Sequence, residues 1–167
     1  MIDLNKMFKP ESVAVIGASN TPGKVGYIIV DNLINDGFEG EIYPVNPKGG
    51  EILGKKAYAN IGDVPGDVDL VIITIPSPFV NTAVKECGEK GVKNMVVITA
   101  GFKEVGEEGA KLEAELTALG KEYGINIIGP NSLGITDSHT PLNGSFSQMM
   151  PPKGNMAFIS QSGAMMV

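Results

Sequence analysis

The residues best suited to chemistry gather where apolar runs give way to glycine. Gly17-Ala18-Ser19-Asn20-Thr21-Pro22-Gly23-Lys24-Val25-Gly26 follows one such run and opens a helix-period segment. Glycines let backbone approach a ligand closely, and a helix N-terminus presents unpaired N–H groups at the positive end of its dipole. Ser19 adds a hydroxyl and Lys24 a cation. Together these suit a phosphate. The spacing is not a G-x-G-x-x-G, because Ala18 and Ser19 follow Gly17 and the next glycine comes late. It is not the phosphate loop of nucleoside triphosphatases either, because Val25 stands where Ser or Thr belongs. A tight strand-to-helix turn with no ligand fits the glycines alone equally well. If the turn holds phosphate, a side chain at Gly26 is expected to obstruct the ligand and leave the fold intact.

A second loop, Tyr43-Pro44-Val45-Asn46-Pro47-Lys48-Gly49-Gly50, narrows the ligand. An NAD site places a carboxylate at the end of the second strand to hold the ribose diol. Asn46 occupies that position, and Lys48 follows. A lysine favours a phosphate on or near the ribose. That leaves NADP with its 2′-phosphate and coenzyme A with its 3′-phosphate, against the plainer reading of a surface lysine in a Gly-Pro turn. Ile75-Pro76-Ser77-Pro78 fixes an extended exit from a third run, where Ser77 is placed to cap the following helix. Thr99-Ala100-Gly101-Phe102 and Gly129-Pro130-Asn131-Ser132-Leu133-Gly134 offer small residues and backbone donors. Neither supplies a base or a nucleophile.

Other chemistries lack their residues. The one cysteine, Cys87, forms no internal disulfide and no thiolate cluster, and reads as a small apolar residue on a helix. His139 is the one histidine and falls in a polar stretch with no organised nucleophile, so it reads as a solvated residue. No metal-ligand spacing is present. The chain carries 13 Lys+Arg against 19 Asp+Glu, a net charge of −6, which argues against a nucleic-acid or membrane-surface binder. With no Trp and 6% aromatic residues, no base-stacking platform is expected. The start, MIDLNKMFKP, lacks the apolar core of a signal peptide, and no apolar run reaches membrane-spanning length. A cytoplasmic location is the expectation.

These loops need elements to position them. The runs Ser12–Ile16, Glu41–Val45, Leu70–Ile75, Met95–Thr99 and Ile125–Ile128 are short and β-branched, and several are continuous rather than alternating. That pattern predicts strands buried on both faces. Between them, 24–36, 79–90 and 107–123 carry helical periodicity and end at Gly37, Gly91 and Gly124. Alternating strand and helix predicts an α/β, Rossmann-like, doubly wound and mostly parallel sheet with helices on both faces. Its ligand should sit at the carboxyl ends of the strands. The expected division is one domain over 1–130 and a linker or arm over 131–154, where Asn, Ser, Gly, Pro and Thr dominate. A new strand at Asn155–Ile159 and a turn at Ser160-Gln161-Ser162-Gly163 then open a second domain, cut short at Val167.

Taken in order, VAVIGASNTPGKVG, YPVNPKGG, VIITIPSPFV, VVITAGFKEVG, IIGPNSLG and FISQSGA resemble the coenzyme A-binding domain of the NDP-forming acyl-CoA synthetases. The ADP-forming acetyl-CoA synthetase alpha part is the nearer match, and the succinyl-CoA synthetase alpha subunit a more distant one. The resemblance implies that Gly17, Ser19, Gly23, Lys24, Val25 and Gly26 hold the CoA phosphates. It implies that Asn46 and Lys48 face the adenosine end, that Ile75, Pro76, Thr99, Ala100 and Gly101 line the cleft along the pantetheine, and that Asn131 lies near the thiol. It also implies that 155–167 begin a flavodoxin-like domain. The family's phosphate-carrying histidine, its ATP/ADP and Mg²⁺ sites and its ATP-grasp domain or beta subunit belong to residues outside this chain. The parent reaction is acyl-CoA + ADP + phosphate ⇌ acid + CoA + ATP. The expectation is that these residues hold CoA without turning over alone. A CoA-binding module of a protein acetyltransferase, or a stand-alone CoA- or nucleotide-binding regulatory module, is the alternative.

Overall fold

Apolar runs that face helices on two sides need a sheet with no solvent-exposed face, and that is what they form. In the computed structural model, residues 4–147 and 149–163 are described. In chain order the elements are α1 (Asn5–Phe8), β1 (Ser12–Ile16), α2 (Val25–Asn35), β2 (Glu41–Val45), β3 (Gly50–Ile52), β4 (Lys55–Ala57), β5 (Leu70–Ile73), α3 (Val80–Lys90), β6 (Asn94–Val97), α4 (Glu107–Tyr123), β7 (Asn126–Ile128), β8 (Gly134–Asp137) and β9 (Leu142–Ser145). The main sheet runs β2-β1-β5-β6-β7, every neighbouring pair parallel. The chain moves outward from β1 to β2 and then returns to the other side of β1 as β5. The order therefore reverses between β1 and β5, the point at which open α/β sheets bind ligands.

The pleat sends alternate residues to opposite faces. Ala14, Ile16, Val71, Ile73, Met95 and Val97 pack with Val80, Val84 and Cys87 of α3 and Leu116 of α4. Val13, Val15, Leu70, Ile72 and Val96 pack with Ile29, Val30 and Leu33 of α2. The helices end as the glycines predict at Gly91 and Gly124, both left-handed caps whose N–H groups close the last turn. Ser77 does not cap α3. It opens a short 3-10 turn, Ser77–Phe79, and makes no capping bond. Pro76 holds the N-cap position of that turn, so Ser77 lies inside it, and Pro78 has no N–H to offer.

Within 131–154, expected as a linker or arm, β8 and β9 pair as an antiparallel hairpin. Its Ile135 and Leu142 join the α2-side core. A Cβ on Gly144 would come 2.8 Å from the Ile72 side chain, so the hairpin backbone presses on the sheet itself. Only α2 among the longer helices covers this face, and the hairpin covers what α2 does not reach. Its polar residues are tied down: Asn143 Nδ2 donates to Asp36 Oδ2 at 2.7 Å, and Asn32 Nδ2 donates to the carbonyls of Ser145 and Ser147. Asn155–Ile159, expected as a strand, has no ladder partner among the described residues. Met156 and Ile159 are almost fully exposed there, because an extended run without a neighbour leaves its backbone to water. At Ser160 the hydroxyl accepts from Ser162 N at 3.0 Å. The helix expected beyond it lies outside the described residues.

If the hairpin is part of the core, Leu142→Ala should lower the unfolding free energy by about 2–4 kcal/mol. A chain ending at residue 130 should bind a hydrophobic dye. Urea melts and dye fluorescence check both, and a melt unchanged by Leu142→Ala would return the segment to a linker.

Candidate functional site

Helix α2 begins directly over the end of β1. A Cβ on Gly26 would lie 2.0 Å from the Gly17 carbonyl oxygen, so only glycine lets the helix come this close. This corrects the expectation that a side chain at Gly26 leaves the fold intact: the obstruction is to the strand end, not only to a ligand. Gly17 has φ +94 and is filled from the other side, since its Cβ position is 2.5 Å from Thr74 Oγ1. Thr74 in turn donates its N–H and hydroxyl to Ile16 O. The two strand ends at the reversal point are thereby locked together. Gly23 has φ +83 with open space around it, so glycine is required there by backbone conformation alone.

The polar side chains of these loops are largely engaged in shaping them. Ser19 Oγ accepts from Thr21 N at 3.0 Å. Asn46 donates through Nδ2 to Ala18 O and accepts at Oδ1 from Lys48 N, joining the second loop to the first. Thr99 Oγ1 donates to Ile75 O, and Asn131 N donates to Thr99 O. Gly101 N donates to Glu104 Oε1 at 2.5 Å, and Phe102 N donates to the same oxygen. These backbone donors, that of Gly101 above all, hold the Glu104 carboxyl below its ordinary range. An internal carboxylate thus takes amides that the sequence offers to a ligand. Lys24 caps α2 in extended conformation. Lys24 and Lys48 are exposed, and among the described residues neither forms an ion pair.

A cleft of about 680 Å³ opens along the strand ends, within the usual size of small-molecule sites. It brings together Val25, Ile75, Pro76, Thr99, Ala100 and Asn131 of the expected residues. Gly17, Ser19, Gly23, Lys24, Gly26, Asn46, Lys48 and Gly101 are not part of its lining. The lining also includes Thr74, Ile98, Ser132, Leu133, Phe146, Gln161 and Gly163, none of which the sequence assigned to the ligand, although Ser132, Leu133, Gln161 and Gly163 lie in loops it named. Thr74 and Ile98 follow β5 and β6 directly, and strand-end position was the available signal. Phe146 arrives because the hairpin folds back, its N–H donating to Leu133 O, and Gln161 comes from the segment beyond it; no local pattern announces either. His139 sits in the β8–β9 turn, exposed, with its ring Nε2 3.0 Å from Gly154 O. Among the described residues no group of three or more His, Cys, Asp or Glu is placed to hold a metal ion.

A family model described as a CoA-binding domain matches residues 11–138. The chain belongs to this CoA-binding family. The domain is 50% identical over 98% of its length to the ADP-forming acetate–CoA ligase of Methanocaldococcus jannaschii, and covers 23% of that protein. It is 51% identical over 97% of its length to subunit alpha of the ADP-forming acetate–CoA ligase II of Pyrococcus furiosus, covering 35% of it. It superposes with TM-score 0.94 and 45% identity, over 99% of its length, on the Ca. Korarchaeum cryptofilum dinucleotide-forming acetyl-coenzyme A synthetase 1 solved with phosphate and ADP, and covers 35% of that chain. The CoA-binding domain thus spans about a quarter to a third of these relatives and matches the alpha part of ADP-forming acetyl-CoA synthetases. No helix among the described residues is long and apolar enough to cross a membrane.

Cys87, on α3 of this CoA-binding domain, is fully buried, and burial first, then Glu86, pushes its thiol from 9.0 up to about 12. The thiol keeps its proton in the fold and loses it more readily unfolded. Its contribution to stability is therefore present below about pH 9 and fades as pH rises toward 12. A disulfide exchange reagent at pH 8 should leave it unreacted until urea is added.

The glycine contacts give a second test. Gly26→Ala should destabilise the fold by about 1–3 kcal/mol through overpacking. Gly23→Ala should cost only about 1 kcal/mol, from its left-handed backbone. Urea melts followed by circular dichroism rank the two, and the reverse order would remove the packing role from Gly26.

Proposed function

We propose that this chain holds coenzyme A along the cleft, with the nucleotide end at the glycine turn and the pantetheine across the ends of β5 and β6. One observation carries the choice over a dinucleotide. Asn46 stands where a ribose-binding carboxylate belongs, and its side chain is already bonded to Ala18 O and Lys48 N. The free cation that follows, Lys48, suits the 3′-phosphate of CoA. Ser19, Gly23 and Lys24 would face the pyrophosphate, using the open N-terminus of α2. Ile75, Pro76, Thr99, Ala100 and Gly101 would border the pantetheine, and Asn131 would stand near the thiol. The apolar part of the cleft, Val25, Ile98, Leu133 and Phe146, supports an uncharged ligand arm there.

We further propose that the chain serves as the CoA-holding part of an ADP-forming acid–CoA ligase acting in the cytoplasm. Residues outside these 167, in further domains or in a second subunit with an ATP-grasp fold, would carry the phosphoryl group and the Mg²⁺-nucleotide. Residues 155–163 would then lead into the next domain.

Calorimetry with CoA, NAD and NADP tests the ligand choice. CoA should bind more tightly than either dinucleotide, and dephospho-CoA more weakly than CoA. Lys48→Ala should remove most of that second difference, which a charge-assisted contact sets at about 1.5–3 kcal/mol. Tight NAD binding without CoA heat would overturn the reading. An unchanged difference in Lys48→Ala would pass the 3′-phosphate to another cation.

A further inference from the structure

Between Asn46 and Tyr58 the chain leaves the main sheet and returns to it. Its base is closed by a bridge between Val45 and Tyr58, with Tyr58 N donating to Pro44 O and Asn46 N to Tyr58 O. Its far part is the β3–β4 hairpin. The two-residue turn is Leu53-Gly54, both with positive φ, +49 and +76. Such turns favour Asn, Asp or Gly at the first position, and a leucine held there is a backbone outlier that something must maintain. Lys48, Lys55 and Lys56 all ride on this excursion, against a single carboxylate, Glu51.

Asn20, in the middle of the glycine turn, reaches across to the hairpin. Its Nδ2 donates to Glu51 O at 2.7 Å, and its Oδ1 accepts from Leu53 N at 3.1 Å. A side-chain amide is here paired with hairpin backbone on both its donor and its acceptor side. It meets the N–H of the residue with the strained φ. Asn46 ties the base of the excursion to Ala18; Asn20 ties its far part to the same turn.

We propose that Asn20 is a positioning residue that clamps the lysine-bearing excursion 46–58 to the glycine turn and so sets the preference for CoA over dephospho-CoA. The proposal rests on the reading of this site as a CoA site. Asn20 acts through the excursion, adding two directed bonds to the packing of Ile52 and Leu53 on the α2-side core: a lysine on a segment so fixed loses less freedom when it meets a phosphate than one on a segment without those bonds.

The test has a ligand-free arm and a ligand arm. In hydrogen exchange on the unliganded chain, the Leu53 amide should be protected in the wild type and lose that protection in Asn20→Ala. Circular dichroism and melting should show the variant folded, since Asn20 is exposed. In calorimetry, the ratio of CoA to dephospho-CoA affinity should fall about threefold or more in Asn20→Ala. In a Lys48→Ala background the same substitution should change the ratio no further, because the two act on one contact. A Leu53 amide equally protected in both proteins would overturn the clamp. So would a ratio unchanged in Asn20→Ala, or one that falls equally with and without Lys48. No CoA heat in the wild type would instead overturn the CoA reading itself, whereas equal binding of both ligands by the wild type would overturn the discrimination role and with it the proposal.

Discussion

Helix α2 rests on the end of β1 at a distance that leaves no room for one methyl group between Gly26 and the Gly17 carbonyl. The rest of the site follows from that approach. It puts the open N-terminus of α2 beside the reversal point of the sheet, and it sets Val25, the first residue of the helix, into the cleft wall. It also forces the connecting loop to turn sharply, with positive φ at Gly17 and Gly23. A helix held farther away would leave the same residues in the sequence but would separate the N–H donors of the helix from the loops after β5 and β6.

A rigid platform for a flexible ligand needs loops that do not collapse when empty, and the internal bonding supplies this. Ser19, Asn46 and Thr99 spend side-chain bonds on backbone atoms of their own or neighbouring loops, and Ser132 on the last carbonyl of β6. Glu104 does so through two amides. The cation at the glycine turn, Lys24, has no ion-pair partner among the described residues, and what lines the cleft is mostly small or apolar. Residues that look like ligand contacts from their type alone therefore divide into two groups. Hydroxyl and amide groups hold shape, while lysines and backbone donors are free for an anion.

The sheet was legible because burial on both faces demands continuous β-branched runs, too short here to be read as anything but strands. Helix α4 was legible to the residue, since Leu112, Leu116 and Leu119 recur among charges and glycine closes the end. The β8–β9 hairpin was not. Its strand Leu142–Ser145 reads Leu-Asn-Gly-Ser, yet all four residues are buried, because Asp36 and Asn32 of a distant helix satisfy the polar ones. The trace of this in the sequence was Asn32, a polar residue on the apolar side of α2, whose partner no local pattern could name. Gly26 was recognised as special for a different reason from the one the structure gives. A glycine that admits a ligand and a glycine that admits a strand end carry the same letter. At 155–159 the error ran the other way, because strand-like composition does not create a partner strand.

The charge distribution links these points to binding. The ion pairs of Lys6 with Glu11 and Asp69, Lys103 with Glu113, and Lys111 with Glu108 lie elsewhere on the molecule. Lys24 on the glycine turn and Lys48, Lys55 and Lys56 on the excursion bonded to it have no ion-pair partner among the described residues; Lys56 instead stands 5.0 Å from the Tyr58 ring centre. A net charge of −6 repels an anion at long range. At physiological salt that repulsion is screened beyond ~8 Å, so an approaching phosphate responds mainly to the nearest charges. The acidic helix α4 and the lysine corner can then coexist on one small domain, provided the lysines are kept where the anion arrives. Fixing the corner to the same turn that the helix dipole serves makes one place, rather than the whole surface, attractive to a polyanionic ligand.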